Sequence, residues 1–292
     1  MRLSLVIPTM NRSEDLSCLL RSVAAQTRPP DEVVIVDQSD NVKTKAVVDD
    51  FIKLGKAEAT KVVYFFTEEK SLVSARNRGV EKSTGDVISF SDDDVIFYSD
   101  YFERILFYLQ DKTIGGISGN VVVKERASGF KWQVRKMLMT FFLVSNYRGG
   151  LTFSTFGYPI HEREICETTA VQLLPGCSMC FRRELLLKNT SDTWFKGYGY
   201  REDVDLSYRI SRQAKLIMVA DARYIHNQSP VNRLNRFRLK KMEFDVYQYL
   251  AKKYIGENLF RWILFYYSLT GLFIIDLLEN LSGTVTGRKG GL

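Results

Sequence analysis

The sequence predicts an α/β protein with a mixed, mostly parallel β-sheet that is flanked by helices. Up to about residue 120, short apolar runs alternate with segments whose apolar residues recur at helical spacing. The apolar runs lack polar alternation, which is typical of strands that are buried on both faces. Strands that alternate with helices predict parallel pairing through helical crossovers. With 292 residues, 45% of them hydrophobic, the chain can build a core of this kind.

Four pairs of a strand and a helix follow one another in this first part of the chain. Pro8 ends the first apolar run. Ser13 is expected to be the N-cap of the first helix, because its hydroxyl can accept a hydrogen bond from a free backbone N–H. The expected strands are residues 3–8, 32–37, 61–67 and 86–91, and the expected helices are residues 13–26, 43–55, 71–83 and 100–110.

The middle of the chain is less regular. The pattern predicts a strand over residues 115–123 and a helix over residues 130–145 that mixes aromatic with basic side chains. Residues 171–185 indicate a strand, a Pro-Gly turn and a return into a helix, and the glycine-rich residues 197–211 lead into an acidic helix start. One or two further strands are expected over residues 215–228.

The C-terminal part differs, and we expect a domain of residues 1–228 to be followed by a helical segment of residues 229–292. Residues 233–244 are strongly basic and residues 259–281 are strongly apolar. The uninterrupted apolar core, residues 262–275, is shorter than the roughly 20 residues of a membrane-spanning helix. Two interpretations stay open: a helix in the membrane interface with basic residues on anionic headgroups, or a helix packed on the domain or on a second copy.

The charge and the cysteines narrow the class of protein. The net charge of +7 fits nucleic acid, anionic lipid or a phosphorylated small molecule as a partner. The basic residues lie mainly beside the apolar C-terminal segment, and this pairing favours a membrane surface over nucleic acid. Cys177 and Cys180 form a lone C-x-x-C with no second pair. Because a zinc site needs about four ligands, this pair does not predict one. The N-terminus is unlike a signal peptide, so we expect a cytoplasmic protein. The basic and apolar C-terminal segment adds the expectation that it is peripheral on the inner face of the membrane.

Acidic residues follow the ends of two expected strands. Asp37 closes the second strand, and Asp92, Asp93 and Asp94 follow the fourth. Because ligands of a parallel sheet bind beyond the carboxyl ends of its strands, these side chains are expected to converge on one edge. Asp92 and Asp94 alternate and should point the same way, as a pair that holds Mg²⁺ would, with Asp93 on the other side or in the turn. The alternatives are a cap cluster for the next helix and a solvated turn.

Six short motifs occur in order between residues 3 and 228. They are LSLVIPTMNR, EVVIVDQSDN, SARNRGV, GDVISFSDDDV, PGCSMCFRREL and GYREDVDLSYRI. On the matching pattern of strands and helices, this set resembles the family-2 inverting glycosyltransferases of the GT-A fold, a Rossmann-like fold. The resemblance implies a metal-dependent enzyme that moves a sugar from a nucleotide-diphosphate donor to a hydroxyl group.

The resemblance also implies a role for each matching residue. The nucleotide would be bound by Pro8, Thr9, Arg12, Asp37, Arg76, Asn77, Asp92 and Asp93, with Asp37 accepting hydrogen bonds from a pyrimidine base. The metal would be held by Asp94, Asp92 and His226, and an imidazole beside carboxylates suits Mn²⁺ as well as Mg²⁺. Glu202 and Asp203 would be the catalytic pair, with Asp203 as the general base. A histidine at the end of a strand is also a common structural residue.

Trp194 and Gly199, which precede the catalytic pair in the sequence, are expected on the acceptor side. Trp194 would stack on a sugar ring or pack in the core, and Gly199 would let the chain approach the acceptor or make a turn. The expected donor is a UDP- or dTDP-sugar, and the acceptor a saccharide or lipid-linked saccharide of the cell surface; a homo-oligomer is left open. The alternative activity is a nucleotidyltransferase acting on sugar phosphates, which residues 5–16 disfavour because they contain no glycine for a triphosphate-binding loop.

Overall fold

A mixed β-sheet forms the centre of the molecule, with helices on both faces. The computed structural model describes residues 1–53, 60–122, 129–160 and 163–281. The ends of the expected helix 43–55, of the expected strand 115–123 and of the segment 229–292 lie outside these residues. The strands are β1 (Leu3–Thr9), β2 (Glu32–Asp37), β3 (Lys61–Phe66), β4 (Val87–Ser91), β5 (Val95–Phe97), β6 (Ile114–Val121), β7 (Thr169–Val171), β8 (Ser178–Arg182) and β9 (Lys215–His226).

The helices lie close to their expected positions. The first is preceded by Arg12 as its N-cap, whose carbonyl accepts the first helical bond from the N–H of Leu16. The prediction that Ser13 is the N-cap was therefore wrong, because Ser13 is already helical. The helices are α1 (Ser13–Ala24), α2 (Lys43–Lys53), α3 (Leu72–Lys82), α4 (Tyr101–Tyr108), α5 (Phe130–Phe141), α6 (Arg183–Lys188), α7 (Glu202–Ser211), α8 (Arg236–Ile255) and α9 (Leu259–Leu281).

The first four strands form the parallel half of the sheet that the sequence predicts. Their order is β3-β2-β1-β4, and every neighbouring pair is parallel. The register pairs Thr9 with Asp37, so the ends of β1 and β2 lie side by side. Alternate residues of β1 reach opposite faces: Leu5 and Ile7 lie in one buried cluster, and Val6 lies in the other. Burial on both faces explains why these strands are continuously apolar.

The other half of the sheet contains two strands that the sequence pattern does not predict. Residues 178–182, which were expected to lead into a helix, form β8 and pair antiparallel with β4. The three-residue strand β5 follows the aspartates directly and pairs antiparallel with the end of β9. Residues 215–226 form one strand, β9, which also pairs with β6 and β7. β5 therefore holds the aspartate turn next to the carboxyl end of β9.

The C-terminal helices pack on the rest of the chain with one face each. Val246 and Leu250 of α8 share a buried cluster with Val204 of α7. Phe265 and Ile275 of α9 share another cluster with residues of α5 and α8. The structure thus contains the packed helix that the sequence left as one of two interpretations, while the boundary at residue 228 stays a prediction. By length and composition alone, Leu259–Asn280 could also cross a membrane, although 22% of its most apolar window is buried inside the protein.

Arg201 forms a buried polar link between α8 and the start of α7. Its buried guanidinium donates hydrogen bonds to Glu243 and Tyr247 of α8 and to the carbonyl of Gly157. The same group lies 4.2 Å from the ring centre of Tyr158 and 4.7 Å from that of Tyr247. Because Arg201 directly precedes α7, its contacts fix where that helix begins.

Replacing Arg201 with methionine is expected to lower the free energy of unfolding by about 3 to 5 kcal/mol, because Glu243 would stay largely buried without its cation. The matched control is Arg209→Met on α7. It should cost less, because its buried partner Asp205 keeps Lys253 as a cation and also accepts a bond from Tyr254. Urea unfolding of both variants measures the difference. If Arg201→Met lost no more free energy of unfolding than Arg209→Met, the prediction that the Arg201 contacts matter most for the docking of α8 would be wrong.

Candidate functional site

Two aspartates and a histidine come together beyond the end of β4. One ligand atom of each of Asp92, Asp94 and His226 lies within 4.8 Å of the others. The pairing of β5 with β9 produces this arrangement, since Val95 lies opposite His226 in the antiparallel register. The residues that the sequence predicts as metal ligands are therefore close enough to share one cation.

The chemistry of these three side chains fits a hard or borderline divalent cation. Oδ1 of Asp94 is buried, lies 3.1 Å from Nε2 of His226 and accepts no hydrogen bond of regular geometry from the residues that the structure describes. Its Oδ2 accepts a bond of 2.8 Å from the backbone N–H of Ser229. Burial opposes ionisation, but His226, the N–H of Ser229 and the charge of Arg12 together outweigh it and lower the pKa of Asp94 to about 2. A charged, buried carboxylate beside a second carboxylate and an imidazole is a donor set that suits Mg²⁺ or Mn²⁺.

Asp93 points away from this cluster, as the alternation of side chains predicts. Its Oδ2 accepts a hydrogen bond of 2.8 Å from the hydroxyl of Thr9, and its Oδ1 lies 3.1 Å from Nη1 of Arg12. Burial raises the pKa of Asp93 to about 7 despite the nearby guanidinium. Arg12 also donates to the carbonyl of Val231 and so joins the end of β1 to the segment after β9. Pro8 is a buried residue of β1.

Two other expected nucleotide-binding residues have partners within the protein. Asp37 is buried at the end of β2, and its carboxylate accepts bonds from the Tyr64 hydroxyl at 2.7 Å and from the N–H of Ser39 at 2.8 Å. The side-chain amide of Asn77 makes two hydrogen bonds with the backbone of Ser191. Asp37 therefore lies on the expected edge of the sheet, whereas the hydrogen bonds of Asn77 do not join it to the acidic cluster.

Arg76 connects the aspartate turn to the start of α7. Its buried guanidinium lies 3.1 Å from Oδ1 of Asp92 and makes an ion pair with Glu202. Nη2 also donates a bond of 2.7 Å to the carbonyl of Gly176. The family resemblance implies that Arg76 lies near the nucleotide, but it does not predict the pairing of Arg76 with Glu202.

The two acidic residues at the start of α7 have different surroundings. Glu202 is buried; one carboxylate oxygen pairs with Arg76, and the other has no hydrogen-bond partner among the described residues. Asp203 is half-buried, and its Oδ2 accepts a bond of 2.9 Å from the N–H of Gly176. A Cβ at Gly176 would lie 3.1 Å from Cβ of Asp203, so the missing side chain leaves room for that carboxylate. Of the pair, Asp203 is the more accessible to a substrate.

The expected acceptor-side residues lie in the loop before α7. Trp194 stacks on Tyr249 of α8, with ring centres 3.9 Å apart and planes 5° apart, and it remains 41% exposed. Tyr249 in turn donates its hydroxyl to Asp192. Gly199 has φ near +62°, a conformation that favours glycine, and its carbonyl accepts the N–H of Glu202. Gly199 thus makes the turn into α7, and Trp194 presents an aromatic face to solvent.

The sequence matches one family model and resembles several curated glycosyltransferases. The model for glycosyl transferase family 2 matches residues 4–188, which include the aspartate turn and Arg76. The uncharacterized glycosyltransferase YwdF of Bacillus subtilis is 29% identical over 156 residues, covering 53% of this chain and 55% of YwdF. A glucosyl-dolichyl phosphate glucuronosyltransferase of Haloferax volcanii is 27% identical over 190 residues, covering 64% and 55%. The matches span little more than half the length of these curated relatives.

Solved structures share the fold at low sequence identity. Mannosyltransferase PcManGT from Pyrobaculum calidifontis, solved with GDP-Man and Mn²⁺, aligns with a TM-score of 0.62 at 18% identity and covers 99% of this chain and 77% of its own. Residues 1–349 of Staphylococcus aureus TarS, solved with UDP, align with a TM-score of 0.59 at 15% identity and the same coverage. At these identities the likeness shows the fold of the chain.

Proposed function

The chain belongs to glycosyl transferase family 2 and has the GT-A fold, and from this premise we propose that it moves a hexosyl or deoxyhexosyl group from a UDP- or dTDP-sugar to a hydroxyl of a saccharide or lipid-linked saccharide. The observation that carries the proposal is the cluster of Asp92, Asp94 and His226, which Arg76 and Gly176 connect to Asp203. The cluster of Asp92, Asp94 and His226 suits a diphosphate with its cation, and Asp203 suits a general base. Family membership favours this activity over the nucleotidyltransferase alternative.

The donor is proposed to bind at the carboxyl ends of β1, β2 and β4. A bound Mg²⁺ or Mn²⁺, held by Asp92, Asp94 and His226, would act as a Lewis acid toward the leaving diphosphate. The Mn²⁺ that accompanies GDP-Man in the PcManGT structure supports this cofactor. The residues proposed to surround the nucleotide are Pro8, Thr9, Arg12, Asp37, Arg76, Asn77, Asp92 and Asp93.

Asp203 is proposed to remove the proton from the acceptor hydroxyl. Its contact with the N–H of Gly176 holds one carboxylate oxygen and leaves the side chain half-exposed. Proton removal by a positioned carboxylate contributes roughly a hundredfold to ten-thousandfold to such a step. Attack opposite the leaving group inverts the anomeric carbon without a covalent intermediate. Glu202 is proposed to support this step by holding Arg76 beside Asp92.

The acceptor is proposed to approach past Trp194 and Gly199. A lipid-linked acceptor is supported by the name of the Haloferax volcanii relative, a glucosyl-dolichyl phosphate glucuronosyltransferase. The enzyme would then work in the cytoplasm on the inner face of the membrane, in cell-surface polysaccharide synthesis, with residues 229–292 as the membrane-associating or oligomerising segment after a catalytic domain of residues 1–228.

The test is calorimetric titration of UDP and dTDP into the full chain, in Mn²⁺ and in EDTA, with GDP as a comparison. We expect UDP or dTDP to bind in Mn²⁺, GDP to bind more weakly, and EDTA to remove the binding. Tight binding of GDP alone would overturn the proposed base. Folded protein that binds none of the three nucleotides in Mn²⁺ would overturn the proposed donor class.

A further inference from the structure

An exposed apolar face runs along α9 and continues onto α5. On α9 it consists of Phe260, Ile263, Tyr266, Phe273 and Leu277, which recur at helical spacing along one side. On α5 it consists of Phe130, Met137 and Phe141. The two rows adjoin, because the exposed ring of Phe141 lies 6.1 Å from the ring of Tyr267. We propose that this apolar face docks on an anionic membrane surface, with α5 and α9 lying in the plane of the membrane.

The exposure of this face is unlike that of scattered surface residues. The side chains of Phe130 and Phe273 are 80% and 69% exposed. The face extends along most of α9, from Phe260 to near its end, and is bordered by a second helix with exposed aromatic residues. Exposed apolar side chains that are grouped along one face in this way mark an interaction site more often than scattered ones do.

The opposite side of α9 packs on the rest of the chain, which favours a helix that lies in the membrane plane over one that spans the bilayer. Ser268 is fully buried, and its hydroxyl bonds to that of Ser154 at 2.7 Å. The backbone at Gly271 lies so close to Phe142 that a Cβ there would collide with the ring. Asp276 of α9 pairs with Lys240 of α8, which adds a polar contact at the far end. A spanning helix would lose these contacts and carry an unpaired carboxylate into lipid.

The charge around the apolar face matches an anionic surface. Residues 130–141 contain three basic residues and no acidic one, and residues 233–241 contain five basic residues and no acidic one. Arg135 pairs with Glu279 of α9, so the basic excess comes from the other residues of the two segments, with Lys131 and Lys136 on α5. The pairing of Lys240 with Asp276 brings the start of α8 beside the end of α9. Phe237, 80% exposed, lies one turn before Lys240 and so adds an aromatic ring to the basic border. Basic residues beside a shallow apolar helix are the combination that binds anionic lipid.

The same charges disfavour a second copy of the chain as the occupant. In a two-fold dimer the same patch meets itself, so the basic residues that border it on both copies would be gathered around one interface. Like charges in contact across an interface oppose association. An anionic lipid surface instead neutralises both borders.

Docking in this way would bring the candidate active site to the membrane. Ser229 donates to Asp94, and Val231 accepts from Arg12, only a few residues before α8 begins at Arg236. The basic start of α8 is thus tied to the aspartate turn by a short segment. Membrane docking would bring the enzyme to a lipid-linked acceptor, and in this respect the inference rests on the proposed function. It does not depend on the chemistry at Asp203.

The test is co-sedimentation of the full chain with vesicles made of equal parts phosphatidylcholine and phosphatidylglycerol. We expect binding that F273D/L277D weakens by about tenfold or more, because two charges enter the buried side of the contact. The matched control is F107D, an exposed phenylalanine on α4 away from this face, which should bind as wild type does. K131E/K241E should weaken binding while K112E should not.

Four outcomes would overturn the inference. They are equal binding by wild type and F273D/L277D, equal binding to pure phosphatidylcholine, resistance of the bound protein to alkaline carbonate extraction as in a spanning helix, and a lipid-independent dimer that F273D/L277D dissociates. Titration of UDP into F273D/L277D keeps the two proposals distinguishable. The docking inference expects wild-type nucleotide affinity in this variant, whereas failure of wild type to bind nucleotide would affect only the proposed function.

Discussion

Replacing Asp94 with asparagine is expected to lower sugar transfer by about a thousandfold and to remove the effect of Mn²⁺ on UDP binding. Asp94 supplies a buried oxygen next to His226, and within the described part of the chain this oxygen accepts no regular hydrogen bond. Asparagine has nearly the same shape and can still accept the N–H of Ser229, so the turn should keep its fold. What it loses is the negative charge that a divalent cation requires. Calorimetry in Mn²⁺ and in EDTA, with UDP release from a UDP-sugar, measures both effects.

Asp93→Asn is the matched control, because it makes the same chemical change one residue earlier. The pKa of Asp93 is raised to about 7 by burial, so its neutral form is already well populated near neutral pH. Its oxygens face Thr9 and Arg12 rather than His226. Because Asp93 is proposed to lie beside the nucleotide, we expect UDP affinity to fall somewhat. The dependence of binding on Mn²⁺ should stay, and transfer should fall by about tenfold or less. Equal losses in the two variants would show that the net charge of the turn matters, and not ligation by Asp94.

The parallel half of the fold was predictable because its strands are buried on both faces. A continuous apolar run such as β2 can hardly be placed elsewhere, and the ends of parallel strands must meet at one edge. β5 was not predictable in the same way. Its three residues are too few to show a period, and it is a strand only because β9 lies beside it.

The candidate site also has parts that were predictable from the sequence and parts that were not. Asp92 and Asp94 were predictable from their alternation at the end of a strand, and His226 from the family resemblance. The ion pair between Arg76 and Glu202 joins residues 126 positions apart, and no local pattern signals such a pair. The stack of Trp194 on Tyr249 is likewise hidden, because the sequence pattern does not show on which side α8 packs. Tertiary contacts therefore decide the parts of the site that lie between separate motifs.

Replacing Asp203 with asparagine is expected to lower the rate of sugar transfer by about a thousandfold while leaving Mn²⁺-dependent UDP binding unchanged. Asp203 bonds to the N–H of Gly176 and makes no hydrogen bond with the aspartate turn. Asparagine can keep that bond through its carbonyl oxygen, but it cannot take a proton from an acceptor hydroxyl. Single-turnover release of UDP from a UDP-sugar measures the rate, and calorimetry measures the binding. An acceptor with a more acidic hydroxyl should recover part of the rate, because it needs less help from a base.

Glu202→Gln separates the base from its neighbour on the same turn of α7. Glu202 is buried against Arg76, which also holds Asp92, so loss of its charge should disturb the aspartate turn and weaken UDP binding together with transfer. A more acidic acceptor should not rescue this variant, because the lost group does not remove the proton. If Glu202→Gln instead lost only the rate and Asp203→Asn lost nucleotide binding, the two roles would be reversed. The buried carboxylate oxygen of Glu202 that has no hydrogen-bond partner among the described residues would then be the proton acceptor.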